Sequence, residues 1–154
     1  MSKTKFVHEL RKSIEHYAKL GVVFPPTLFI ECKVRPTPKR KFDLMTGLTV
    51  IQKATLRAIT TGNAITWKMH GNAIPSGMPY ILCASKGHAF LAVRLGKDKA
   101  LVVNFKKIWE LTKSFPVRLF IQPPGELIFH TGLSLLRRKP LGLWENLDEV
   151  LNDK

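Results

Sequence analysis

The stretch SGMPYILCASKGHAFLAVRLGK, residues 76–97, decides the predicted fold. A Gly-x-Pro turn opens it, and the apolar runs 80–85 and 89–95 predict two strands. A Lys-Gly turn lies between the two runs and predicts that they pair as a hairpin. Every charged side chain in the stretch is basic, and the first acid is Asp98, just beyond its end.

The segments around the hairpin extend it into a sheet with helices. A helix over 44–61 is predicted, with Thr46 or Asp43 as its N-cap and Gly62 as its stop. The other predicted elements are a strand at 64–70, a helix at 101–114, and strands at 117–122 and 126–130 about a Pro-Pro-Gly turn. From residue 48 the order is therefore αβββαβ, which predicts an α/β fold with a mixed central sheet and flanking helices.

The ends of the chain add three further predicted segments. Apolar residues at the helical period predict a helix over 3–19, and 27–34 reads as a strand. Two prolines and four cations predict a basic loop over 35–42. A last helix over 143–152 presents Trp144, Leu147 and Leu151. The 154 residues suit a single domain, made of the helix and strand in 3–34, the loop, a core over 44–130 and this last helix.

The charge of the chain points to a polyanionic partner. There are 25 Lys and Arg residues against 11 Asp and Glu, a net charge of +14. Four of the acids fall after Lys139, so residues 1–139 carry +17. A compact domain this basic repels itself, and such charge usually serves to bind nucleic acid.

The composition also predicts a location inside the cell. No apolar run reaches the length of a membrane helix, and the charged N-terminus does not resemble a secretion signal. Cys32 and Cys83 lie in apolar runs and are expected to be buried thiols in a reducing compartment. We therefore expect a cytoplasmic protein of a nucleoid or a host cell, with no membrane partner.

The predicted order and the quoted stretch resemble the PD-(D/E)xK nucleases, in particular the VRR-NUC domains and the archaeal Holliday-junction resolvases. The resemblance covers residues 48–122. It is carried by the turn Gly77-Met78-Pro79, the hairpin tip Lys86-Gly87 and the strand Phe90-Leu91-Ala92-Val93. It implies a restriction-endonuclease-like core.

The chain departs from the family at the positions that carry the chemistry. Tyr80 stands where the family has Asp, and Arg94 stands where it has Glu, unless the register shifts to Val93 or Ala92. The family's Lys corresponds to Gly96 or Arg94. A phenol and a guanidinium do not hold Mg²⁺, whereas Arg94 attracts phosphate. The resemblance thus implies an inactive relative that binds nucleic acid, without metal or other cofactor.

A rival catalytic site keeps an active enzyme open as an alternative. Glu31 and Lys33 have the Glu-x-Lys spacing on one face of a predicted strand, and Gln52 lies in the next helix, where active relatives often have Gln. With Mg²⁺ these residues would serve a metal-dependent endonuclease or junction resolvase. A second acid should precede the pair, but residues 1–30 offer only Glu9 and Glu15, both in the first helix.

We therefore predict a protein that binds DNA or RNA, more readily DNA, through the phosphate backbone. Clustered Lys and Arg give affinity without sequence choice. The resemblance also allows a second copy of this chain as a partner, because a DNA junction with two-fold symmetry needs two binding sites. The second alternative is a basic interaction protein of a viral or plasmid replication complex. The predicted binding residues are Arg35, Lys39, Arg40, Lys41, Lys86, His88, Arg94, Lys97, Lys99, Lys106, Lys107, Arg137, Arg138 and Lys139.

Overall fold

The structure is a computed structural model that describes residues 2–35, 42–43, 47–62, 65–68, 79–82, 86–112, 120–122, 126–127 and 133–152. Its helices are α1 (Lys3–Lys19), α2 (Val50–Thr61), α3 (Phe105–Thr112) and α4 (Leu147–Leu151). Its strands are β1 (Leu28–Arg35), β2 (Phe42–Asp43), β3 (Ile65–Lys68), β4 (Pro79–Leu82), β5 (His88–Leu95), β6 (Lys99–Asn104), β7 (Phe120–Gln122), β8 (Glu126–Leu127) and β9 (Leu133–Arg137). A short 3₁₀ turn spans Pro140–Gly142. None of the helices in these residues is long and apolar enough to cross a membrane.

The central sheet has four strands in the order β1-β5-β6-β9. Strands β1 and β5 are parallel, and β6 runs antiparallel to both β5 and β9. Smaller ribbons pair β2 with β7 and β8, and β3 with β4. The α/β class, the mixed sheet and the flanking helices are confirmed.

Strand β5 is covered on both faces, and this divides the core in two. Leu91 and Val93 face one way and pack with residues of α2 and α3, such as Leu56. Phe90 and Ala92 face the other way and pack with residues of α1 and the C-terminal segment. A strand buried on both sides has a continuous apolar sequence, which explains why residues 89–93 show no polar alternation.

Helix capping sets where the first two helices begin. Helix α1 begins after Ser2, whose hydroxyl accepts a hydrogen bond from the Lys5 amide, and its bounds are those predicted. Helix α2 begins at Val50, so the predicted caps Thr46 and Asp43 are wrong. Thr49 is the cap, because it forms a reciprocal capping box with Gln52. Gly62 ends this helix at φ 72°, as predicted.

The predicted hairpin across Lys86-Gly87 is wrong. Strand β4 pairs with β3, whereas β5 pairs with β1 and β6. The Gly87 amide instead donates to the Ile59 carbonyl, at the end of α2. Gly87 also lies so close to Thr27 that a Cβ would come within 2.4 Å of the Thr27 Cγ2, so only glycine fits. The observed hairpin joins β5 to β6 through residues 96–98.

The predicted helix at 101–114 is wrong over its first four residues, which belong to a strand. Residues Lys99–Asn104 form β6, which extends the hairpin, and α3 occupies the remainder up to Thr112. The Asn104 Oδ1 accepts a hydrogen bond from the Lys106 amide at 3.1 Å and so marks the change to helix. The order from α2 to α3 therefore gains one strand over the predicted αβββαβ order. Strand β9 had no counterpart in the prediction.

The C-terminal segment docks on the chain's own core. Trp144, Leu147 and Leu151 are fully buried beside α1. The Trp144 indole meets the Phe6 ring edge-on, with centroids 5.9 Å apart. The predicted helix is shorter than expected, since α4 spans only Leu147–Leu151.

Cys32 is buried on the face of the sheet that α1 covers, and this burial raises the pKa of its thiol to about 11. Cys83 lies outside the described residues.

Truncating Trp144 should destabilise the domain strongly. Trp144→Ala removes a fully buried indole and leaves a cavity, so we expect a loss of about 3–5 kcal/mol in unfolding free energy. Urea denaturation followed by circular dichroism measures it. Val23→Ala, at an apolar position that is 84% exposed, is the control and should change stability by less than about 0.5 kcal/mol. Equal effects from the two variants would contradict the docking of the segment.

Candidate nucleic-acid interface

The strand register gathers cations from separate parts of the sequence at one end of the sheet. Leu95 pairs with Arg35 on one side and with Lys99 on the other, and Lys99 pairs with Arg137. We call this the basic end and define it by Arg35, Lys97, Lys99, Arg137 and Lys139. Strands lie about 4.8 Å apart, so Arg35 and Arg137 are separated by about 14 Å across the sheet.

Most of the basic end is open to solvent. Lys97, Lys99, Arg137 and Lys139 are exposed. Arg35 is half-buried, and its Nη1 donates to the Val34 carbonyl at 3.1 Å. Asp98 lies in the same turn as Lys97 and is the acid closest to them along the chain. Four long cationic side chains that extend into water form a surface suited to phosphate oxygens.

Arg94 does not belong to this surface, so the prediction that it contacts phosphate is wrong. Its side chain has no exposed area. The guanidinium forms an ion pair with Glu9 of α1 and donates to the carbonyls of Gly96, at 3.2 Å, and Lys97, at 2.8 Å. It also lies 5.4 Å from the centroid of the Trp144 ring. Because the guanidinium is enclosed by protein, a nucleic acid outside the fold cannot reach it.

Arg138 also forms an ion pair with Glu9. Its Nη2 lies 3.6 Å from the Glu9 Oε1, and its side chain is 35% exposed. The Glu9 carboxylate thus lies between two guanidinium groups. Arg138 lies between Arg137 and Lys139 of the basic end in sequence, but its guanidinium is directed to this buried acid.

The remaining predicted binding residues lie elsewhere. Lys86, His88 and Lys106 surround a cavity of about 370 Å³ at the opposite end of the sheet. Lys107 follows on α3 and is half-buried. Lys39, Arg40 and Lys41 lie outside the described residues.

The three residues of the rival catalytic site do come together. The Gln52 Nε2 donates to the Glu31 Oε1 at 3.0 Å. Lys33 follows two residues along β1, on the same face as Glu31. Burial lowers the pKa of Lys33, although the charge of Glu31 opposes this shift.

Two further contacts give this cluster a structural role. Gln52 is also the capping-box residue of α2, because its Oε1 accepts from the Thr49 amide at 3.0 Å. Lys3, from the first turn of α1, reaches around the edge strand to the Glu31 Oε1 at 3.0 Å. No sequence pattern indicates a role for Lys3 or for Glu9, since each contact depends on how α1 packs against the sheet.

The donor set of the cluster does not fit a divalent metal ion. It supplies one carboxylate, and one oxygen of that carboxylate already accepts from an ammonium group and an amide. Lys3 and Lys33 make the cluster net positive, which repels a cation. Within the residues that the structure describes, no group of three or more His, Cys, Asp or Glu residues could hold a metal.

Comparisons with protein-family models, with curated proteins and with solved structures find no match for this chain.

Breaking the buried ion pair on one side should cost more than replacing both partners. Arg94→Met alone leaves Glu9 without its closest counter-ion, so we expect a loss of about 3–5 kcal/mol in unfolding free energy. Glu9→Gln alone should show a loss of similar size, because it leaves the guanidinium buried without its carboxylate. The double variant Glu9→Gln/Arg94→Met should lose less than the sum of the two. Strictly additive losses in urea denaturation would show that the pair is not coupled.

Proposed function

We propose that this protein binds nucleic acid by its phosphate backbone at the basic end of the sheet. The observation that carries the proposal is the convergence of Arg35, Lys97, Lys99 and Arg137. These cations come from three separate parts of the sequence. The strand pairing brings Arg35, Lys99 and Arg137 into one row, and Lys97 lies in the turn that joins β5 to β6. Like charges gathered in one place destabilise a fold by repulsion, and a bound partner of opposite charge relieves that repulsion.

The composition of the row indicates which feature of a nucleic acid it contacts. Exposed lysines on a turn and at strand ends make flexible point charges, which suit phosphates rather than base edges. Arg35 is the first residue of the sequence RPTPKRK, so more cations follow it directly along the chain. The proposal is therefore backbone-directed binding with strong salt dependence and weak sequence preference.

The preference for DNA and for branched structures rests on the resemblance to the PD-(D/E)xK nucleases. Under this proposal the chain is a relative that has kept a phosphate-binding role without cleavage. The net positive charge around Glu31 supports the loss of cleavage, because the cluster attracts phosphate and repels metal. The α/β fold with helices on both faces of a mixed sheet is compatible with such an origin.

The binding proposal predicts a specific effect of the exposed cations. Replacing Lys97, Lys99 and Arg137 with Ala should weaken binding to a fluorescent duplex at least about tenfold, because fewer counterions are released from the phosphates. The slope of log affinity against log salt should fall in magnitude by about 0.9 for each phosphate that the variant no longer neutralises. Fluorescence anisotropy between about 50 and 200 mM salt measures both quantities.

The matched control for this triple variant changes Lys5, Arg11 and Lys12 to Ala. These three residues are exposed on α1 and are not part of the basic end, and their loss changes the net charge by the same amount. The control should keep the wild-type salt slope. Equal losses in both triple variants, or salt-insensitive binding by the wild type, would contradict a binding surface at the basic end. Thermal unfolding of each variant checks that the fold is intact.

A second function, metal-dependent cleavage, is favoured by one observation. Glu31, Lys33 and Gln52 lie together as the nuclease interpretation requires, and Gln52 contacts Glu31 directly. The single carboxylate and the ion pair with Lys3 argue against it.

We expect purified protein to leave supercoiled plasmid intact in Mg²⁺ or Mn²⁺, because the cluster is too poor in carboxylates to hold the ion. Gel electrophoresis of the plasmid checks this. Nicking that is lost in Glu31→Ala and retained in Glu15→Ala would establish cleavage instead. Glu15 is exposed on α1 and serves as the matched control.

A further inference from the structure

The described residues that line a cavity at the other end of the sheet are positive or neutral. It has a volume of about 370 Å³ and opens where β5 begins and β6 ends. Its described polar lining comes from Thr60, Lys86, His88, Asn104 and Lys106, and none of the described residues around it is acidic. Gly87 fixes the position of Lys86 and His88, because its amide is bonded to Ile59 and its Cα lies against Thr27.

The Thr60 hydroxyl donates to the Leu56 carbonyl, but the other polar side chains around the cavity have unused donors. In the described part of the chain, the side chains of Lys86, His88 and Lys106 form no hydrogen bond and no ion pair. Asn104 is only 7% exposed, and its Oδ1 is used by the Lys106 amide. Its Nδ2 makes no hydrogen bond with any described residue and is not enclosed by protein, so it remains a donor that solvent can reach. A ligand oxygen in the cavity would accept from this amide in place of water.

The start of α3 reinforces the positive potential. The helix begins directly after Asn104, so the positive end of its dipole lies beside the cavity. Two ammonium groups, a free amide donor and a helix N-terminus around one opening together match the oxygens of a phosphate group.

We infer that this cavity binds the phosphate of a nucleotide. That the phosphate belongs to a bound nucleic acid rests on the function proposed above, while a free mononucleotide offers the same chemistry. The volume is within the range of about 300–1,000 Å³ that is typical of small-ligand sites, so it has room for more than the phosphate alone.

The cavity is a separate site from the basic end. Strand β5 has eight residues, with His88 at the cavity and Leu95 at the basic end, so the two are about 23 Å apart. A mononucleotide is too short to reach both. Binding of AMP therefore reports on the cavity alone, whereas a long oligonucleotide reports on both ends.

The test uses two probes, AMP and a single-stranded DNA of about 20 nucleotides, which is long enough to span both ends of the sheet. Each probe is titrated into the full chain and into two variants of the cavity. Lys86→Ala/Lys106→Ala removes two exposed ammonium groups. Asn104→Asp keeps an oxygen acceptor for the Lys106 amide but places a carboxylate at the cavity wall. The control Lys5→Ala/Lys12→Ala removes two exposed cations from α1, on the other face of the sheet.

AMP titrated into labelled protein should shift the NMR signals of the Gly87, His88 and Lys106 amides in a saturable way. Both cavity variants should bind AMP at least about tenfold more weakly, and the control should bind it as the wild type does. If the phosphate comes from nucleic acid, the cavity variants should also weaken binding of the oligonucleotide relative to the control. If AMP binds and the oligonucleotide does not, the site serves a free nucleotide, and the proposed function fails while this inference holds.

The inference is overturned if AMP leaves the three amides unshifted, or if the control loses as much AMP affinity as the cavity variants. In either case the proposed function is still judged separately, by the effect of the Lys97, Lys99 and Arg137 variant on the oligonucleotide. Thermal unfolding of each variant separates loss of binding from loss of fold.

Discussion

The buried ion pair between Arg94 and Glu9 is the interaction on which the packing of the fold depends. Removing a guanidinium from water costs several kcal/mol unless charge and hydrogen bonds replace the water. Here Glu9 supplies the charge, the carbonyls of Gly96 and Lys97 supply acceptors, and Trp144 covers the group. These partners come from α1, from the turn after β5 and from the C-terminal segment. The pair therefore needs all three to be in place, and each of them is fixed by it.

The position of the proposed binding surface follows from this buried pair. Because the Lys97 carbonyl is bonded to Arg94, the turn that carries the Lys97 side chain is held against the sheet. Lys99, at the start of β6, pairs with Arg137 in the next strand, so the turn and both strand ends present their cations at the same end of the sheet. The buried Arg94 thus fixes the turn before β6, and this turn places exposed cations at the basic end. The two uses of positive charge are distinguished by location and not by residue type.

Local patterns predict the local parts of this structure and fail where a distant partner decides. Apolar spacing and capping, which depend on neighbours in sequence, predict helix α1 and strand β1 within one residue. The local chemistry of Lys86-Gly87 fits a hairpin, but the partner of β5 is β1, far earlier in the chain, and no short pattern reveals that pairing. For the same reason the sequence alone predicts Arg94 at a surface, since only the packing of α1 brings Glu9 to it. The row of cations at the basic end is likewise visible in sequence only as separate groups.

The charge around Glu31 is what separates binding from cleavage in this fold. A carboxylate that is to hold a metal ion must keep its lone pairs and its negative field, but Lys3 and Gln52 both donate to one Glu31 oxygen. With Lys33 beside it, the cluster has more positive than negative charge. Lys33 lies two residues before Arg35 on the same strand and the same face, so the positive surface continues from the cluster into the basic end. A phosphate backbone can follow that surface without meeting a net negative site. For this reason the binding interpretation accounts for the cluster and the basic end together, whereas cleavage would account for the contact between Glu31 and Gln52 alone.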